Sequence, residues 1–397
     1  MASIHDSTAA GARFSTSKLR RLDAIVQEHI ATRQIPGAVV LVACRGEVAY
    51  HRAFGAIRAH TAAKAVLRTD TIFWIASMAK PIVAAAVLML VEDGKVRLDD
   101  PVSTFIPEFA EPRMVRVFEP GVLDAALSGG IGRDPPHTLV PALGDITVRR
   151  LLSHTSGLQT VGVPNRAIPT IAETDSVANW VPKLASVPLD YHPGTRWAYS
   201  NSAAYEVLVR IAEVASNERF DAFLQRRLFD PLGMRDSGYG MQHRHPNRAM
   251  PLPRKLALNP CVAAGHFRGS AGLWTTAADY MRFARVLANV GSFGGTHVLR
   301  RDSVQLLVSD QAKGLFPGWR DIDGAGARMG LGVLVIVDPA SAKVALPAGS
   351  FGWDGLGSRR FWVIPDEQVV LIMLMPSGDA ERAHRDIERA VMDAIIH

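Results

Sequence analysis

Cysteine is almost absent from this chain: Cys44 and Cys261 are the only two in 397 residues, and they lie far apart. They could pair, but two buried thiols in a reducing compartment is the simpler account. Long apolar runs are missing too. No uninterrupted stretch reaches the roughly 20 residues of a membrane-spanning helix. The start, Met1-Ala2-Ser3-Ile4-His5-Asp6, has neither the basic nor the apolar region of a secretory leader. A soluble, cytoplasmic protein with no membrane partner is expected. The formal charge is +6, yet the cations come in scattered pairs such as Arg20-Arg21, Arg149-Arg150 and Arg359-Arg360. That pattern suits a solvated surface and argues against a nucleic-acid groove. His243 and His245 form the only close histidine pair, with no third ligand at metal spacing, so no metal is expected. Internal repeats and low-complexity segments are lacking as well.

What is present is an ordinary enzyme composition: 48% hydrophobic and 21% charged residues, enough to bury a sizeable core. Residues 16–33 carry apolar positions at helical spacing, closed by Pro36-Gly37. Residues 38–43 read as a buried strand, with 47–50 as its hairpin partner across Arg45-Gly46. From 110 to 145 the chain is rich in glycine and proline without a sustained period, as in a surface excursion or a cleft wall. Helices are expected over 175–187, 202–229, 276–288 and 382–396, with Leu208, Ile211, Val214 and Phe220 among the apolar positions of the second. Strands are expected over 332–337, 360–364 and 369–374. Strands near both ends imply one discontinuous sheet domain, residues 1–98 and 265–397, with a helical insertion over 99–264.

Three short motifs carry the chemistry. Ser77-Met78-Ala79-Lys80 opens an Ala-rich apolar run that Asp93-Gly94 stops. Pro81 is tolerated only in a first turn, so the helix begins close to Ser77 and sets Ser77 beside Lys80. A lysine amine can take a serine proton once burial lowers its pKa. A second serine, Ser156 in His154-Thr155-Ser156-Gly157, lacks the glycine two residues earlier that a nucleophile elbow needs and reads as a turn residue. Trp197-Ala198-Tyr199-Ser200-Asn201 offers a tyrosine that can relay protons. Gly352-Trp353-Asp354-Gly355-Leu356-Gly357 is a glycine-rich turn where backbone can approach a ligand and supply an oxyanion donor.

Together, and in this order, the motifs resemble the serine β-lactamase and penicillin-binding-protein superfamily. Ser77-x-x-Lys80 is similar to its Ser-x-x-Lys element and Tyr199-Ser200-Asn201 to the Tyr-x-Asn of the class C branch. Trp353-Asp354-Gly355 stands where β-lactamases carry Lys-Thr-Gly, which resembles the family VIII carboxylesterases and related acyltransferases. The likeness runs from about Ile35 to Leu374 and includes Ile35-Pro36-Gly37, Leu98-Asp99-Asp100-Pro101, Leu151 to Leu158 and Pro231-Leu232-Gly233-Met234. It implies an α/β (α+β) fold of class C type, an antiparallel sheet flanked by helices plus an inserted, mostly helical domain. It also implies Ser77 as nucleophile, Lys80 and Tyr199 as shared general base, and the backbone N–H groups of Ser77 and Leu356 as oxyanion hole. Asn201, Trp353 and Gly355 would contact substrate, and no cofactor is implied.

Trp353 cannot bind a drug carboxylate as lysine does, so small uncharged acyl esters are the expected substrates. Rival readings are an acyltransferase, a β-lactamase, peptidase or amidase, and an inactive binding module. With no histidine base, an activity optimum of about pH 8–10 is expected.

Overall fold

The computed structural model describes residues 14–58, 64–129, 132–251, 265–376 and 380–396. Cys261 lies outside the described residues; Cys44 is buried, its Sγ 3.6 Å from the Glu367 carbonyl. The frame is an eight-stranded sheet, antiparallel throughout. Its order is Ala327–Met329, Leu334–Ile336, Phe351–Gly355, Arg359–Ile364, Val369–Leu374, Gly37–Cys44, Glu47–Arg58 and Lys64–Val66. The first and last thirds of the chain meet in the middle, where Val39 pairs with Leu374 and Cys44 with Val369. Gly37–Cys44 is buried at every position, which explains its continuous apolar sequence in place of an alternating one.

Helices Thr16–Ala31 and Glu381–Ala394 pack together beside the sheet, and Ala277–Ala288 packs on the strands Gly37–Cys44, Arg359–Ile364 and Val369–Leu374. The N-caps follow the sequence: Ser15 accepts from the Lys18 N–H, Thr147 from Arg150 and Thr276 from Asp279. The Ala-rich run forms helix Ala79–Glu92, with every residue from Ala79 to Leu90 buried. Each of its larger side chains contributes about 1.5–3 kcal/mol by leaving water. Helix Ala203–Ser216 packs against it.

Four expectations need correction. The helix over 202–229 is broken: Ala203–Ser216 ends at Asn217, which takes a left-handed φ of 58°, and the chain resumes as Phe220–Leu224 followed by a π-helical turn, Gln225–Phe229. Val214 is 38% exposed and lies off the apolar face. The 175–187 stretch is one short α-turn, Val177–Trp180, continued as a 3-10 helix, Val181–Ser186. The 110–145 excursion has regular structure: strand Met114–Phe118 pairs with His137–Pro141 around helix Val122–Gly129. Its hydrophobic pattern is hidden because the hairpin is short and His137–Pro141 is largely exposed. Arg116 anchors it, binding Asp190 and, at 2.8 Å, Asp134.

Candidate active site

Ser77 sits on a 3-10 turn, Ala76–Met78, that feeds directly into helix Ala79–Glu92. The preceding residue, Ala76, has φ 47°, a conformation that costs a non-glycine residue about 1–3 kcal/mol. Packing holds it there: the Ile75 N–H bonds the Leu273 carbonyl, and the Tyr280 hydroxyl bonds the Met78 carbonyl. Lys80, one turn on, is fully buried. Its Nζ lies 3.3 Å from Ser77 Oγ and donates to the carbonyls of Asn201 and Ser270, at 3.1 Å each. The Tyr199 hydroxyl donates to Ser77 Oγ at 2.7 Å. The structure therefore brings Ser77 and Lys80, on one turn and the helix it opens, together with Tyr199 from a distant segment.

Burial lowers the Lys80 pKa to about 7, opposed by the negative charges of Glu206 and Asp354 and aided by Arg268. Burial pushes the Tyr199 phenol upward instead. A neutral amine has two N–H donors and one lone pair. Here the two carbonyls take the two donors, and the lone pair is left for the Ser77 proton. A neutral Tyr199 is then a proton donor to Ser77 Oγ. The chemistry available is nucleophilic attack by Ser77 with a lysine base and a tyrosine acid.

The strand Phe351–Gly355 runs past this turn. A Cβ on Gly355 would stand 2.3 Å from the Ile75 carbonyl oxygen, so the close approach requires glycine. Beyond it, the Leu356 side chain is 51% exposed while its carbonyl accepts from the fully buried Arg359 guanidinium. Trp353 is buried between two other rings, stacked on Trp319 at 5.7 Å and on His154 at 6.2 Å. The Asn201 side chain is exposed, and it is its backbone carbonyl that reaches Lys80.

His154 is fully buried with a pKa well below the usual histidine range, and its Nδ1 accepts from the Ser200 N–H, which fixes it as neutral. Its ring packs on Tyr199 at 4.7 Å and Tyr205 at 5.3 Å. Ser156 is buried, its Oγ accepting from the Leu158 N–H. Among the described residues no cluster could hold a metal ion, and no helix is long and apolar enough to cross a membrane.

Several residues escape a sequence reading. Glu206, fully buried in the first turn of Ala203–Ser216, accepts from Ser270 Oγ at 2.6 Å and the Gly269 N–H at 2.9 Å. It thereby fixes the carbonyl that holds Lys80. The one available signal is a glutamate in an otherwise apolar run, Ala203-Ala204-Tyr205-Glu206-Val207-Leu208. Trp319 packs on Tyr199 at 4.6 Å and donates to Asp354 at 3.2 Å.

Known proteins resemble this chain along nearly its whole length. Residues 22–394 match the Beta-lactamase family. The chain is 29% identical over 422 residues to Esterase EstB of Burkholderia gladioli, covering 96% of each. It is 30% identical to Penicillin-binding protein 4 of Amycolatopsis lactamdurans, covering 94% of this chain and 88% of that one. The structure of EstCE1, a hydrolase with promiscuous acyltransferase activity, superposes with a TM-score of 0.72 at 23% identity, over 95% of this chain and 99% of that one. The class C-like α/β architecture, the match along nearly the whole chain and a Ser-x-x-Lys turn joined by a tyrosine lead to one conclusion: this chain belongs to the beta-lactamase family.

Proposed function

We propose that the protein is a serine carboxylesterase that hydrolyses small uncharged acyl esters through an acyl-Ser77 intermediate. The observation that carries this reading is the buried Lys80 Nζ standing 3.3 Å from Ser77 Oγ, where the neutral amine, with its two N–H groups on the Asn201 and Ser270 carbonyls, takes the Ser77 proton. Ser77 Oγ attacks the ester carbonyl as its proton passes to Lys80. The oxyanion is held by the backbone N–H groups of Ser77 and Leu356. As the C–O bond breaks, Tyr199 gives its proton to the leaving alcohol and regains one from the Lys80 ammonium. Water then repeats the sequence and frees the acid. Esterase EstB, similar over nearly the full chain, supports the choice of ester over amide.

Trp353 supports the preference for uncharged substrates. No lysine stands at this place, and the nearby Arg320 is already engaged by Asp354. A carboxylate-bearing lactam loses one charge-assisted contact, worth roughly 1.5–3 kcal/mol, or about 10- to 150-fold. An acyl transferase reading shares every step up to deacylation and differs in the acceptor. The deciding experiment is labelling with an active-site phosphonate followed by peptide mapping, together with hydrolysis of p-nitrophenyl esters. Ser77 should carry the adduct, Ser77→Ala should lose ester hydrolysis, and Ser156→Ala should keep most of it. An adduct on Ser156, or cephalosporin turnover matching that of a butyrate ester, overturns the reading.

A further inference from the structure

Arg359 and Arg360 are neighbours on the strand Arg359–Ile364, both buried, and their charges meet different surroundings. Arg360 is matched by Glu388 at 3.2 Å and Asp321 at 3.1 Å. Arg359 forms no ion pair with any of the described residues. Its Nη1 donates to the Leu356 carbonyl, its Nη2 to the Pro376 carbonyl at 3.3 Å and to Met250 Sδ at 3.2 Å, and its Nε has no partner. Burying a charge without a counter-charge opposes folding. Burial lowers the Arg359 pKa only to about 9, so the guanidinium keeps its proton at neutral pH. A lone charge kept in the interior at this cost calls for a function.

Its position supplies one. Arg359 stands opposite Gly355 across the hairpin turn that carries Leu356. Within that turn Gly357 has φ 83°, and a Cβ there would collide with Arg359 Nη1. The last glycine of Gly352-Trp353-Asp354-Gly355-Leu356-Gly357 thus makes room for the guanidinium beneath the turn. On its other side the guanidinium carbon lies 5.8 Å from the centre of a Trp74 ring. Trp74 immediately precedes the segment Ile75-Ala76-Ser77, and its Nε1–H donates to the Ala271 carbonyl. Met250 is tied to the same strand, its N–H bonding the Ile72 carbonyl at 2.8 Å. The strand Phe351–Gly355 itself packs on the Ala76–Met78 turn. One guanidinium therefore braces the backbone leading to Ser77 and the turn holding Leu356.

Resting on the esterase reading above, we propose that Arg359 is a positioning residue for the oxyanion hole: it fixes the Leu356 turn and sets an unpaired positive charge behind the Ser77 and Leu356 N–H groups. As Ser77 Oγ bonds to the ester carbon, the carbonyl π pair moves onto its oxygen and the Ser77 proton passes to Lys80. That oxygen is fully negative only in the tetrahedral species. Arg359 therefore favours this species over the bound ester, and it does so in an interior where charges are poorly screened.

The test reads the hole itself. p-Nitrophenyl butyrate is compared with its thiono analogue, in which sulfur replaces the carbonyl oxygen. Sulfur is a weak hydrogen-bond acceptor, so an intact hole prefers the oxygen ester. Arg359→Met and Arg359→Gln remove the charge, and Arg359→Lys keeps it. In the neutral variants kcat/KM for the butyrate should fall about tenfold or more, with KM moving less than about threefold. Their preference for oxygen over sulfur should shrink about fivefold or more, and Arg359→Lys should recover part of both losses. A folded neutral variant that keeps the wild-type oxygen-to-sulfur preference overturns the role of Arg359 and leaves the esterase reading intact, as does a lysine variant no better than the neutral pair. Failure of both neutral variants to fold, judged by circular dichroism, would make the charge structural and overturn the proposal too. A wild-type protein that hydrolyses neither ester and takes no phosphonate on Ser77 sinks the esterase reading as well.

Discussion

Desolvation acts on Lys80 more strongly than the nearby carboxylates of Glu206 and Asp354, which is why a residue ordinarily protonated to pH 10.5 reaches about 7. The acid limb of kcat/KM for a pH-stable ester should therefore fall near pH 7, with activity rising through it as the amine deprotonates. Full activity above this limb overlaps the range of about pH 8–10 expected from sequence. Lys80→Arg should not restore a base, since guanidinium stays protonated. Glu206→Gln removes a charge that raises the Lys80 pKa, so its acid limb should move to lower pH. A drop in kcat with an unmoved limb would instead make Glu206 purely structural. Ser77, Lys80 and Tyr199 were legible because short local motifs carry them. Glu206 and Ser270 were not, because their part exists only once residue 206 meets residues 269–270 across the fold.

Secondary-structure elements were most legible where burial is uniform. The strand over 38–43 and the helix after Ser77 read directly from their apolar runs. The break at Asn217 was visible in principle, since asparagine tolerates the left-handed conformation that ends a helix, but the apolar spacing on either side masks it. The Met114–Phe118 hairpin depends on one side chain that periodicity cannot weigh. Arg116 and Asp190 are 1% and 0% exposed, and Asp190 also accepts from the Thr160 N–H at 2.7 Å. Arg116→Met should leave that carboxylate buried beside an uncharged chain and cost about 3–5 kcal/mol. Urea unfolding followed by tryptophan fluorescence measures it. A loss below about 1 kcal/mol would mean the pair behaves as an exposed one.

The molecule as a whole carries a protonation cost at its catalytic centre. Between pH 7 and 10.5 the unfolded chain holds the Lys80 proton and the folded one does not. Stability contributed by Lys80 is thus fully present above the upper value and is lost as pH falls through the lower. Lys80→Met should flatten this part of the Tm-against-pH curve, most visibly as a raised Tm near neutrality; parallel curves for the two proteins would count against a lowered lysine pKa. The overall architecture was legible because strand-like runs cluster toward both ends of the chain. The strand order was not, since nothing local announces that Gly37–Cys44 pairs with Val369–Leu374.

That central pairing also sets a timetable for synthesis. The two strands lie more than three hundred residues apart, and a ribosome adds about 5–20 residues per second. Gly37–Cys44 therefore emerges with one edge unpaired and waits on the order of 15–65 s for its partner. During that interval it is an apolar template open to any other nascent chain. Only when the last strand is released can the sheet be completed against the turn that carries Ser77.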